Sequence, residues 1–338
     1  MRISASRLWV VIGACAALAG ATVLAQAPSS GAAPHVAAAK AAAGQDHTFL
    51  FNQLCTPPPA NAPAPRTTPA PAAAPGPPPR AEWHAEPAKV FDNLYFLGMT
   101  EYTAWAVTTS DGIIVIDPLF DYSVEDEVVS GLTTLGLDPK RIRYVLVSHA
   151  HTDHVGGARL LQDRFGAKVV MSAADWDLVA TDSASYPKPK KDVVAIDGQK
   201  LTLGDTTLTL HTTPGHTLGT ISTIIPVKDN GQPHTALLWG GTNFNWRTGP
   251  ARYITPDRPA RFWYESYSSS ARKMKDIAAK AGADILLSNH SNYDGTKTKL
   301  PALKKRNAGD RHPYVVGSAS IGRFLTVADE CAKAGPLW

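Results

Sequence analysis

The chain has 338 residues, 44% hydrophobic and 18% charged, with a formal net charge of +4. This is an ordinary globular balance, long enough for one large domain or two small ones. The basic excess is spread too thinly for a nucleic-acid surface, and the Pro-broken cluster Lys188, Lys190, Lys191 reads as a solvated loop.

The first 27 residues read as a signal sequence. Arg2 and Arg7 precede an apolar run from about Leu8 to Leu24, and Ala25-Gln26-Ala27 ends it as a small-residue cleavage site. The expected location is periplasmic or secreted, with no membrane segment left after cleavage near Ala27. A lipid anchor at Cys15 fits poorly, because the apolar run continues past it. Of the remaining cysteines, Cys55 and Cys331 either pair or stay as thiols; a bond would tie the N-terminal extension to the last helix.

Residues 28–80 form an Ala/Pro-rich extension and linker. Within it, 45–55 carry an apolar patch able to dock, and 56–80 suit an extended tether. The folded domain is expected over 81–338. FDNLYFLG, TAWAVTT and GIIVIDP read as strands, VEDEVVSGLTTLG as a helix and RYVLVSHA as a strand. GGARLLQDRFG follows as a helix and AKVVMSA as a strand. KLTLGDTTLTLHTTPGH is a hairpin, GTISTIIPV and HTALLWGG are strands, and a helix covers PARFWYESYSSSARKMKDIAAKAG. ADILLSNHS is a strand and SASIGRFLTVADECAKA a terminal helix. Two sheets with helices on their outer faces satisfy this α/β order.

The densest chemistry lies in SHAHTDHVGG. Imidazole nitrogen and carboxylate oxygen are the usual non-thiolate zinc ligands. His149 and His151 leave a strand end on alternate residues, and Asp153 and His154 follow in the loop. Gly156 and Gly157 let the next helix start close by. His216 sits in the turn TPGHT and His290 ends the strand of LLSNHS, so one rim of the sheets can gather all five histidines. Six such ligands suit two three-ligand zincs sharing a water. The other histidines read as surface or packed residues.

The pattern His149-Ala-His151-Thr-Asp153-His154, with His216 and His290, resembles the metallo-β-lactamase superfamily over roughly residues 85–335. The resemblance implies a four-layer αββα sandwich. It implies two Zn2+ per chain: one on His149, His151 and His216, the other on Asp153, His154 and His290. Asp117 would orient the metal loop without being a ligand. Many superfamily hydrolases carry a bridging aspartate after the strand ALLWGGT, and two lactamase subclasses carry a cysteine there. Gly240, Gly241 and Thr242 offer neither, which resembles the third subclass of class B metallo-β-lactamases. Asn289-His290-Ser291, Thr242 and Phe244 depart from that subclass's usual surroundings.

The implied reaction is opening of a cyclic amide by a metal-activated water, with Asp153 orienting it and Tyr293 donating to an oxyanion. Thr242, Asn243, Phe244 and Ser291 would line the substrate pocket, and Trp246 and Arg247 would form a mobile rim. Ser148 has no evident base and reads as a strand-end residue. The substrate would be a small β-lactam-like molecule; oligomeric state is not legible. A zinc hydrolase of another ester, lactone or amide, and a non-catalytic zinc-containing envelope protein, are the competing readings.

Overall fold

The structure is a computed structural model that describes residues 31–57 and 76–338. The expected signal sequence 1–27, its cleavage site and most of the Pro-rich linker lie outside the described residues. The first sheet runs in sequence order: β1 Ala88–Lys89, β2 Leu94–Phe96, β3 Trp105–Thr109, β4 Gly112–Ile116, β5 Ile142–Leu146, β6 Lys168–Ser172 and β7 Val193–Ala195. The second comprises β8 Gln199–Leu203, β9 Thr206–Thr212, β10 Ile221–Asp229, β11 Gln232–Trp239 and β12 Ile285–Ser288, ordered β12-β11-β10-β9-β8.

Alternation along the strands builds the layers. Ile114 and Ile116 of β4 face Ala236 and Leu238 of β11 and Leu287 of β12 in the core between the sheets. Their neighbours point outward. Ile113 and Val115 pack with Leu132, Leu161 and Trp176 from helices Ser130–Thr134, Ala158–Phe165 and Ala173–Thr181. Leu237, Trp239 and Leu286 pack with Tyr267, Met274 and Phe324 from helices Ala260–Lys280 and Ser318–Ala334. The result is the αββα sandwich expected.

Strand direction decides where the site lies. β4, β5 and β6 are mutually parallel, as are β11 and β12. β9 is antiparallel to β10, which is antiparallel to β11, so β9, β11 and β12 all run the same way. The C-terminal ends of the two sheets are joined by the Ile221 N–H donating to the Ser148 carbonyl at 2.8 Å. A second link is the Thr103 N–H donating to the Asn289 carbonyl at 3.0 Å.

Residues 31–55 add to this body. Helices Ala33–Ala43 and Thr48–Leu54 put Ala39, Ala43, Leu50 and Leu54 into the core shared with the terminal helix. Cys55 and Cys331 form a disulfide. The apolar patch at 45–55 docks; the Ala-rich stretch before it is helical, as the high helix propensity of alanine favours. The stretch VEDEVVSGLTTLG bends through a π turn, Glu125–Val129, before its α-helical end. Among the described residues, no helix is long and apolar enough to cross a membrane.

Candidate metal centre

The loop after β5 is set by Asp117, which follows β4 in the left-handed region at φ 60°. An aspartate held there is strained and needs compensation. Its Oδ1 accepts the Ser148 N–H and its Oδ2 the Ser148 hydroxyl, both at 2.7 Å. The same Oδ2 lies 3.1 Å from His154 Nδ1. Gly156 and Gly157 are required by close approach: a Cβ on Gly156 would fall 2.7 Å from Asp121 N, and one on Gly157 2.3 Å from the Pro118 carbonyl oxygen.

Six of the expected ligands converge in two triads: His149, His151 and His216; and Asp153, His154 and His290. In the first, His216 Nε2 stands 3.1 Å from His149 Nε2 and 3.2 Å from His151 Nδ1. In the second, His154 Nε2 is 3.3 Å from His290 Nε2 and 2.9 Å from Asp153 Oδ2, which is 3.6 Å from His290 Nε2. Tetrahedral zinc with Zn–N bonds of 2.0–2.1 Å needs ligand atoms about 3.3 Å apart. The separations above, 2.9–3.6 Å, bracket that value. They adjoin, with the His149 and His154 rings 4.3 Å apart.

The outward nitrogens supply an independent test, since a metal-binding imidazole must keep its lone pair inward. His149 Nδ1–H donates to the Gly240 carbonyl at 2.8 Å and His216 Nδ1–H to the Asn243 carbonyl at 2.8 Å. His151 Nε2 meets the Tyr253 hydroxyl at 2.6 Å, and His154 Nδ1 faces Asp117. Each contact leaves the converging nitrogen free to coordinate. The residues therefore fit zinc.

Electrostatics separate the triads. Burial, then neighbouring imidazoles, hold His149 well below the usual histidine range, and burial holds His151 there too. Burial lowers His216 to about 4 and His290 to about 3. Burial also opposes charge on His154, but Asp153 and Asp117 outweigh it and push the ring up to about 10. Burial likewise opposes charge on Asp153, and His154, His290 and His151 overcome it, holding the carboxyl well below the usual carboxylate range.

The pocket residues fare differently. Thr242 and Ser291 are buried, and the Ser291 hydroxyl donates to the Thr100 carbonyl. Asn243 grips His216 through its carbonyl and accepts the Tyr293 hydroxyl at 2.7 Å, so Tyr293 spends its proton on Asn243. Phe244 packs against Tyr264 and Tyr267 in the core. Trp246 and Arg247 are no mobile rim. Trp246 is buried against Trp263 and Tyr264, and Arg247 donates to the carbonyls of Leu54 and Thr56.

Four residues have roles here that the sequence did not assign. Asp175 is fully buried and pushed up to about 6 by burial, against hydrogen bonds from the Thr217 hydroxyl and the Ala150 and Gly219 N–H groups. It thereby ties the His151 and His216 loops together. Tyr253 orients His151. Asn245 Nδ2 lies 3.2 Å from His216 Nε2 and 3.4 Å from His151 Nδ1. Asn289 Nδ2 donates to the Gly240 carbonyl at 2.7 Å, which suits an amide before His290.

Comparison with known proteins agrees with this geometry. A family model described as "Metallo-beta-lactamase superfamily" matches residues 98–229. A UPF0173 metal-dependent hydrolase of Anaeromyxobacter dehalogenans (strain 2CP-1) is 32% identical over 241 residues, 68% of this chain and 78% of its own length. A hydroxyacylglutathione hydrolase of Acidiphilium cryptum is 29% identical over 229 residues, 68% of this chain and 82% of that one. Among solved structures, BJP-1, a subclass B3 metallo-β-lactamase of Bradyrhizobium japonicum, has a TM-score of 0.62 at 26% identity, covering 73% of this chain and 91% of that one. The FEZ-1 metallo-β-lactamase from Legionella gormanii has a TM-score of 0.61 at 25% identity, covering 73% and 94%.

Proposed function

The chain belongs to the metallo-β-lactamase superfamily of metal-dependent hydrolases, and we propose that it is an exported dinuclear zinc β-lactamase. The carrying observation is the pair of adjoining triads, His149/His151/His216 and Asp153/His154/His290, with no seventh ligand at 240–242. At Gly241 that absence is enforced: a Cβ there would fall 2.5 Å from His216 Cβ. Likeness to subclass B3 enzymes supports the same reading.

Zinc bound by the triads would supply a water ionised near neutral pH and a Lewis acid for the substrate carbonyl. The chain's own residues do the rest. Tyr253, Gly240, Asn243 and Asp117 fix the imidazoles. Asp153, 18% exposed at its side chain, accepts a hydrogen bond from the attacking water and so orients it. Asn243, held by Tyr293, stands beside the first triad to meet the substrate's polar edge.

Export is part of the proposal. The N-terminal signal pattern and the Cys55–Cys331 disulfide both suit an oxidising compartment. Sequencing the N-terminus of protein from a periplasmic extract should find it near residue 28; an intact Met1 would refute it. For activity, the zinc-loaded protein should hydrolyse nitrocefin or a carbapenem, lose this to EDTA and regain it with zinc. No turnover with two zincs bound sinks the β-lactamase reading. The hydroxyacylglutathione hydrolase relatives favour one alternative, a thioester hydrolase, read in the same assay with S-acyl thiols.

A further inference from the structure

We propose that Asn245 is a fourth ligand of the first triad, its side-chain oxygen completing a tetrahedral zinc site with His149, His151 and His216. This rests on the dinuclear zinc reading above. The Asn245 amide nitrogen lies 3.2 Å from His216 Nε2 and 3.4 Å from His151 Nδ1. Both are inward nitrogens, since the opposite ring atoms are held by the Asn243 carbonyl and the Tyr253 hydroxyl. Within the triad, His216 Nε2 stands 3.1 and 3.2 Å from its partners. The amide therefore keeps the spacing of about 3.3 Å that a further tetrahedral donor needs.

Which atom of the amide faces inward decides what it does. The nitrogen can only donate to the imidazole lone pairs, whereas the oxygen is an acceptor with two lone pairs and can coordinate. A half-turn about χ2, a broad and roughly twofold torsion in asparagine, exchanges the two in place. A neutral oxygen is a weaker zinc donor than imidazole or carboxylate. It fills the fourth position yet gives it up to a stronger oxygen, so the site stays catalytic rather than structural.

The local chain is built to present this side chain, as a ligand must be. Its neighbours Phe244 and Trp246 are both buried and pack edge-on against Tyr264 of helix Ala260–Lys280. The Asn245 carbonyl accepts the Thr248 N–H at 3.2 Å and the Gly249 N–H at 2.9 Å, which closes the turn. Arg247 is drawn away to the Leu54 and Thr56 carbonyls. With the aromatic rings turned into the core and the arginine tied to the extension, Asn245 is the side chain of this turn that reaches the triad.

The test measures zinc affinity by chelator competition with metal analysis on the full-length protein. Each site is isolated by removing a ligand of the other: His290→Ala leaves the first triad, His216→Ala the second. Asn245→Ala and Asn245→Asp are then compared in both backgrounds. Asn245→Ala should weaken zinc on the first triad about tenfold or more, at least the loss that an outer-shell partner causes, and leave the second triad unchanged. Asn245→Asp sets an ionised oxygen in the same place and should restore or exceed native affinity. The sign is decisive. An amide that only donates to the imidazoles competes with the metal, so tighter zinc in Asn245→Ala overturns the proposal. Unchanged affinity on the first triad, or equal weakening of both, overturns it too. These measurements need no substrate, so failure to hydrolyse a β-lactam with both zincs bound sinks the β-lactamase reading alone. A first triad that binds no zinc with Asn245 in place overturns the metal reading and this proposal together.

Discussion

Replacing Asp117 by asparagine should weaken zinc binding at the second triad while sparing the first. Asparagine tolerates the left-handed backbone at position 117, so the change isolates the carboxylate chemistry. The amide oxygen can still accept the Ser148 N–H, a contact of 2.7 Å in the native chain. The NH2 then replaces the oxygen that lies 3.1 Å from His154 Nδ1 and would set donor against donor. His154 must move its proton to Nε2 to relieve this, and Nε2 is the atom facing Asp153 and His290. Loss of such an orienting partner typically lowers metal affinity 10–100-fold, about 1.4–2.7 kcal/mol. Chelator competition followed by metal analysis should find one tight zinc and one weakened by that factor. Equal retention of both zincs, or equal loss of both, would refute the ligand assignment and the role of Asp117 together.

Three further outcomes follow from the same geometry. At pH 7 the second triad should release about one proton on taking up zinc and the first almost none, because only His154, pushed up to about 10, holds a displaceable proton; calorimetry in buffers of different ionisation enthalpy reads this, and equal release from both triads would contradict it. Gly241→Asp should lower zinc content rather than add a bridging ligand, since its Cβ would fall 2.5 Å from His216 Cβ and overpacking costs about 1–3 kcal/mol; two zincs bound at native affinity would count against this. Removing the disulfide with Cys55→Ala and Cys331→Ala opens a link across 276 residues and should cost about 3 kcal/mol, a Tm drop on the order of 10 °C; an unchanged melting curve would show that the extension docks without it.

The six candidate ligands were legible because a metal restricts which side chains can hold it. His149, His151, Asp153 and His154 crowd one loop, and His216 and His290 each end a strand pattern. Their supports were not legible, because nothing chemical marks them in one dimension. Asp175 lies in no motif of the sequence, and its place emerges only where Ala150, Thr217 and Gly219 close around it. Tyr253 reaches His151 across 102 residues. Trp246 was misread for a related reason: closeness to the site in sequence suggested a rim, but its packing partners Trp263 and Tyr264 come from the long helix and pull it inward.

The absence at 240–242 gains a physical cause from these contacts. Gly240 gives its carbonyl to both His149 and Asn289, and Gly241 lies where only hydrogen can face His216. The His216 side chain leaves no room for a side chain at Gly241, and the Gly240 carbonyl holds His149 of the first triad. An aspartate at Gly241 would therefore require His216 to move as well. The six candidate ligands are thus gathered where β5, β9 and β12 end together at one rim, and Asn289 fits there as the residue that bonds the Gly240 carbonyl beside His290.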